Sequence, residues 1–403
     1  MSARPIDEPH RVSSQLELLF DLTFVVAVAA ATAQLAHNIA GGHGLAGVVP
    51  FLEVFFAIWW AWMNFTWFAS SYDTDDVAYR LLTMVQMAGV LVLAAGVPAG
   101  AGRGDFGVVT LGYVIMRMAL VAQWLRAGLE DPASRRTALR YALGISILQV
   151  GWILRFLVAE AGALPSWCEL PSFVFLAVVE LMVPLWAERA RATNWHPHHI
   201  AERYGLFTII LLGESVLAAS RGVEGALGAG EVTSPFVVIA VSGLVLLFAL
   251  WWLYFLVQAG EGLSDRRHRS YLWGYGHYGI FAALAALGAG LEVAVEQTGH
   301  ELGASPLTLG YAVAIPVALC LTLFWAVHAR IVAEPVMFPA VVLGCVTTIL
   351  LLPLATPWIG VAAVVGAIAG ICVLLVAVTI AANADRGRRW NAPAPPQLRG
   401  AVN

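Results

Sequence analysis

The chain is 403 residues long, 60% hydrophobic and only 12% charged, with a formal net charge of −4. Soluble domains carry about a quarter charged residues, so the composition excludes an ordinary water-soluble globular protein, in line with a mean hydropathy of +0.79. All 22 basic residues are Arg, and nothing in their distribution supports nucleic-acid binding.

The polar start, residues 1–15, is followed by an apolar run that is longer than a signal-peptide core and is interrupted by Asp21. That run is expected to stay as a membrane anchor. Taking about 20 apolar residues as one crossing, the pattern predicts an all-α, polytopic membrane bundle of about twelve spans. They cover 16–40, 50–70, 81–97, 106–127, 141–159, 172–186, 204–220, 235–258, 271–295, 307–327, 335–352 and 357–382. The sixth and seventh are short and the last two are separated by a Pro-rich turn, so ten or eleven spans remain alternatives. With both termini cytoplasmic, 18 of the 22 Arg fall on the inner side, as the excess of basic residues in cytoplasmic loops requires. The outer loops lean acidic, with Asp105, Glu160, Glu169 and Glu224 among them, either as a solvated face or as a weak cation-attracting vestibule. The lipid bilayer of the inner membrane is the first partner implied.

Span 1 carries Glu17 and Asp21 four residues apart and ends at His37. Positions i and i+4 share a helix face, and a carboxylate facing hydrocarbon costs at least a few kcal/mol. That face should therefore look into the protein. At about 1.5 Å of rise per residue, Arg117 in span 4, Glu180 in span 6 and Glu214 in span 7 lie roughly 12–18 Å into the membrane, near the midplane. Asp21 and His277 in span 9 lie about 8–10 Å from the cytoplasmic side. Arg155 belongs to the outer half of span 5. An Arg117 pair with Glu180 or Glu214 could simply neutralise buried charge and fix helix packing. The functional reading is a polar pathway in which Glu214 and Asp21 take up protons or cations and Arg117 is their charge partner. Gly213 and Ser215 flank Glu214, allowing close helix approach and a hydrogen-bond network there.

A weak repeat runs through the chain. At a shift of 192, Phe56, Ala57, Trp59 and Trp60 match Phe248, Ala249, Trp251 and Trp252; at 193, Leu18, Leu19 and Asp21 match Leu211, Leu212 and Glu214. Two six-span halves, 1–187 and 203–382, would be joined by a cytoplasmic linker at 188–202 and followed by a cytoplasmic tail at 383–403. An even number of spans per repeat predicts a pseudo-two-fold axis along the membrane normal. The four mid-span Trp are expected to pack in the core. His196, His198 and His199 in the linker lack the remainder of a ligand shell, the four Cys are scattered, and no catalytic or phosphate-binding motif is present, so no metal or cofactor is expected.

Three stretches together resemble the bacterial low temperature requirement protein A (LtrA) family: ELLFDLTFVVAVAAATAQLAH at 17–37, RYGLFTIILLGES at 203–215 and YGHYGIFAALAALGAGLE at 275–292. The chain departs from the usual pattern at Leu19, where a second Phe is common, and at Gly279, where Pro is. The resemblance implies a multi-pass inner-membrane protein associated by name with growth in the cold. It carries over Glu17, Asp21, His37, Glu214, His277 and Glu292, and brings no substrate or reaction. The reading taken forward is a secondary transporter or ion- or proton-translocating protein acting on a small ion or molecule. Its pathway would use Glu17, Asp21, His37, Arg117, Glu180, Glu214, Ser215 and His277. A membrane-embedded enzyme or lipid-handling protein using the carboxylates and His as acid–base groups, and an accessory protein without transport, stay open.

Overall fold

The computed structural model describes residues 1, 3–5, 8, 11–228, 233–332 and 336–390. Those residues form α-helices and short 3-10 turns, with no strand among them. In chain order the helices are α1 (Gln15–Ala40), α2 (Gly44–Tyr72), α3 (Val77–Arg103), α4 (Gly107–Glu130), α5 (Arg135–Glu160), α6 (Ser166–Ala187), α7 (Pro197–Gly228), α8 (Ser234–Phe255), the short α9 (Ala259–Asp265), α10 (Ser270–Glu296), α11 (Pro306–His328), α12 (Pro339–Leu351) and α13 (Thr356–Trp390). Among the described residues ten stretches are long and apolar enough to cross a bilayer. They are α1 to α6, α8 running on into α9, α10, α11, and the 46-residue Pro339–Ala384 that holds α12 and most of α13.

Local chemistry starts the helices. Ser14 caps α1 by accepting from Glu17 N, while Ser14 N donates back to the Glu17 carboxylate at 2.7 Å, a reciprocal capping box. Asp76, Thr233 and Ser305 cap α3, α8 and α11 from one side only, each side chain accepting a backbone N–H of the first turn. Pro197 opens α7, so that helix begins seven residues before the predicted span and absorbs the end of the predicted linker. A proline at the first helical position forfeits no hydrogen bond. Within α13, Gly360 has φ 79°, a left-handed conformation that breaks the helix and is open to glycine without strain.

Packing sorts the helices into central and peripheral. For α10, 78% of the most apolar stretch is buried inside the protein, against 28% for α6. Helix α1 lies against α2, α3, α7 and α10, and thereby joins the first six helices to the rest. Outer faces carry large apolar side chains, such as Leu22, Leu143, Phe175 and Phe248, which a hydrocarbon solvent accepts and water does not. Trp59 and Trp60 are core residues, each 1% exposed, but Trp251 and Trp252 are 43% and 46% exposed on α8. The matching aromatic motifs therefore occupy different environments: α2 turns its pair into the protein and α8 turns its pair outward.

Backbones meet closely where side chains vanish. A Cβ on Gly112 of α4 would lie 2.3 Å from Leu93 N of α3, and one on Gly290 of α10 would lie 2.2 Å from Ala312 O of α11. Gly213 serves no such purpose: a Cβ there would meet nothing within 4 Å. Gly112→Ala should therefore lower unfolding stability in detergent by about 1–3 kcal/mol through overpacking, while Gly213→Ala should be neutral or slightly stabilising. Equal unfolding midpoints for the two variants would contradict the α3–α4 contact.

Candidate functional site

The face of α1 bearing Glu17 and Asp21 looks into the protein, as its cost in hydrocarbon demands: the two residues are 0% and 1% exposed. Their partner is Arg203 of α7, itself fully buried. Its Nε and Nη2 donate to the two carboxylate oxygens of Asp21 at 2.8 and 2.6 Å, and its Nη1 lies 3.1 Å from Glu17 Oε1. This fork-on-fork geometry is the strongest arrangement a guanidinium offers a carboxylate. Trp62 Nε1 of α2 donates to Asp21 Oδ1 at 2.7 Å. His199 Nε2, one turn before Arg203, lies 3.1 Å from Glu17 Oε1.

The segment before α1 closes the cluster. Arg11 is 7% exposed, donates to Ala69 O at 2.8 Å, and lies 3.5 Å from Glu17 Oε1 and 4.0 Å from Asp73 Oδ2. Asp73 follows α2, and burial pushes its carboxyl up despite the nearby Arg11 and Arg4. Two further buried polar atoms, Tyr79 Oη and His199 Nδ1, have no hydrogen-bond partner among the described residues. The cluster thus retains spare polar capacity at its edge.

A second buried group lies within the first six helices. Arg117 Nη2 of α4 donates to Glu180 Oε1 of α6 at 2.8 Å, with each side chain 1% exposed. Tyr113 Oη and Trp152 Nε1 also donate to Glu180 Oε2, at 2.8 and 3.2 Å. Arg117 therefore pairs with Glu180, the arrangement expected if the pair neutralises buried charge between helices, whereas Asp21 is met by Arg203 of α7. A third group holds His277 of α10. Its Nδ1 donates to Trp273 O at 2.7 Å, so Nε2 is left to accept from Tyr254 Oη at 3.0 Å; the carbonyl can only accept, which sets the tautomer.

The remaining expected residues are Glu214, Ser215 and His37. Glu214 is 4% exposed on α7, and Ser215 Oγ donates to Leu211 O at 3.1 Å. A Cβ on Gly288 of α10 would lie 2.9 Å from Ser215 Oγ, so Gly288 rather than Gly213 permits the close α7–α10 approach. His37 is exposed near the end of α1 and lines an open cleft of about 590 Å³ together with His43, Glu53 and Glu169. Of the eight, the structure brings Glu17 together with Asp21, and Arg117 together with Glu180.

Sequence reasoning placed Arg203 and His199 on the cytoplasmic side as loop and linker residues, yet both are 0% exposed. His196, from the same stretch, is also buried and donates its backbone N–H to Ser70 Oγ at 2.9 Å. A signal for the first two was present: His199 and Arg203 are four residues apart, the same spacing as Glu17 and Asp21, so two i,i+4 pairs of complementary character can face each other across a helix crossing. Arg203→Met alone should cost about 3–5 kcal/mol of unfolding stability by stranding two buried carboxylates, and adding Glu17→Gln and Asp21→Asn should restore most of it. Denaturation in detergent reads both; a triple variant no more stable than the single one would refute the coupling.

A family model described as "Bacterial low temperature requirement A protein (LtrA)" matches residues 12–381. The uncharacterized protein RA0937 of Rhizobium meliloti (strain 1021) is 28% identical over 298 residues, covering 71% of this chain and 70% of that protein. No solved structure matches the chain.

Proposed function

The chain belongs to the bacterial low temperature requirement A family, and from that premise we propose that it is a secondary transporter or an ion- or proton-translocating protein of the inner membrane, with both termini cytoplasmic. The observation that carries this reading is the charge lock between α1 and α7. Glu17 and Asp21 belong to the first six helices, Arg203 and His199 to the rest, and all four are buried. Burying ions costs several kcal/mol each, and well-packed apolar residues would hold two helices together as well. Stability alone does not account for such a set. A lock that holds two bodies in one arrangement and is released by protonation or cation binding does, and rocking of one helix bundle against another is how many transporters alternate access.

Twelve spans follow on this reading if α7 is counted and Pro339–Ala384 is taken as two crossings. The two halves then share part of a neighbour pattern: α1 packs on α3 as α7 does on α10, and α3 packs on α4 as α10 does on α11. Parallel repeats of that kind would place the pseudo-two-fold axis along the membrane normal. Glu214, on the same helix as Arg203 and about 16 Å further along it, is the proposed site of proton or cation uptake inside the bundle.

Purified protein in liposomes loaded with a pH dye, challenged with K⁺, Na⁺ and proton gradients, tests the proposal. Flux is expected from the parent protein and is expected to be lost in Glu214→Gln while the fold is retained. Normal flux in that variant would remove Glu214 from the pathway. A parent protein silent under every gradient would overturn the transport reading.

A further inference from the structure

At the end of the bundle remote from the start of α1, α2, α4, α5 and α6 enclose a cleft of about 340 Å³, large enough for a small organic molecule. None of its walls comes from α1 or α7, so it is separate from the charge lock. Its deeper part is aromatic. Tyr113, Trp152, Phe56 and Phe173 line it, with the Trp152 and Phe173 rings edge-to-face at 5.1 Å and the Phe56 and Phe173 rings at 5.8 Å. The two polar ends in this wall are already engaged, since Tyr113 Oη and Trp152 Nε1 both donate to Glu180. What they offer the cleft is ring surface.

The polar lining is mostly anionic. Among the described residues Glu53, Asp105, Glu160 and Glu169 face one cation, Arg155. Arg155 lies 4.0 Å from Glu53, and its Nε and Nη2 donate to Ser172 Oγ and Glu169 O at 3.1 and 2.9 Å. Asp105, Glu160 and Glu169 take part in no ion pair among the described residues. The guanidinium of Arg155 sits 5.6 Å from the centre of the Phe173 ring, so one ring of the cleft already holds a cation against its face. A bare metal ion needs converging oxygen ligands, and among the described residues no three His, Cys, Asp or Glu are grouped to hold one. A weakly hydrated organic cation needs ring faces and nearby negative charge instead.

We propose that this cleft binds an organic ammonium group, its methyl or methylene surface against Trp152 and Phe173 and its charge balanced by Glu53 and Glu169. The group has two sources, a free amine or the headgroup of an aminolipid. Binding is read directly, so the inference stands or falls apart from transport: an ammonium that binds without crossing would overturn the transport reading and leave this one intact.

The test is isothermal titration of the full-length protein, in nanodiscs of phosphatidylglycerol alone, with choline and with its uncharged isostere 3,3-dimethyl-1-butanol. Saturable one-to-one binding of choline is expected, with the isostere weaker by at least about tenfold and Phe173→Leu and Glu169→Gln each weakening choline by about tenfold. Glu169 is exposed, so its variant is expected to fold even if the ring variant does not. Repeating the titration in phosphatidylcholine nanodiscs separates the sources. Suppressed choline binding there assigns the cleft to a lipid headgroup, and unchanged binding assigns it to a free amine. No choline binding in phosphatidylglycerol, equal affinity for the isostere, or a folded Glu169→Gln protein with unchanged affinity would each overturn the proposal.

Discussion

One guanidinium organises the interior of this protein. Arg203 reaches from α7 to both carboxylates of α1 and satisfies Asp21 with two donors. Without it, two carboxylates would stand buried at the junction of the central helices, a cost no single helix contact repays. The constraint also runs backward into the local structure, because Glu17 is the residue that completes the capping box of α1. The same carboxylate starts its helix and ties it to another.

Around that contact the helices divide by burial. Helix α10 is the most enclosed of the candidate spans, whereas α5 and α6 are the least enclosed and turn apolar faces outward. The peripheral pair nevertheless encloses the second charge group. Arg117 and Glu180 are joined with Tyr113 and Trp152 directly beneath the aromatic cleft. The two buried charge groups therefore serve different ends: one joins the first six helices to the others, while the other supports a cavity wholly within the first six.

Depth along a helix axis follows from counting residues, so Arg117, Glu180 and Glu214 could be placed at similar levels. Which of them meet depends on the azimuth of each helix and on which helices are neighbours, and neither quantity is written in the spacing of one span. Arg117 and Glu180 meet because α4 and α6, both packed on α5, turn these side chains toward one another. His277 is turned instead toward Tyr254 of α8.

The sequence by itself determined that the chain is a helical bundle of membrane type. It also determined its family, the starts of six helices to within a residue, and the fact that Glu17 and Asp21 face inward, because hydrocarbon tolerates neither unpaired backbone nor bare charge. It did not determine the partner of those carboxylates. Arg203 lies just outside a hydropathy-defined span and reads as a loop cation until α7 is seen to begin at Pro197. Only the tertiary structure decided that pairing, the exposed setting of Trp251 and Trp252, and the existence of the cleft between α2, α4, α5 and α6. The physical reason is common to all three. Hydropathy reports how much a segment avoids water, whereas a site is made by which side chains of different segments are brought within a few ångströms of one another.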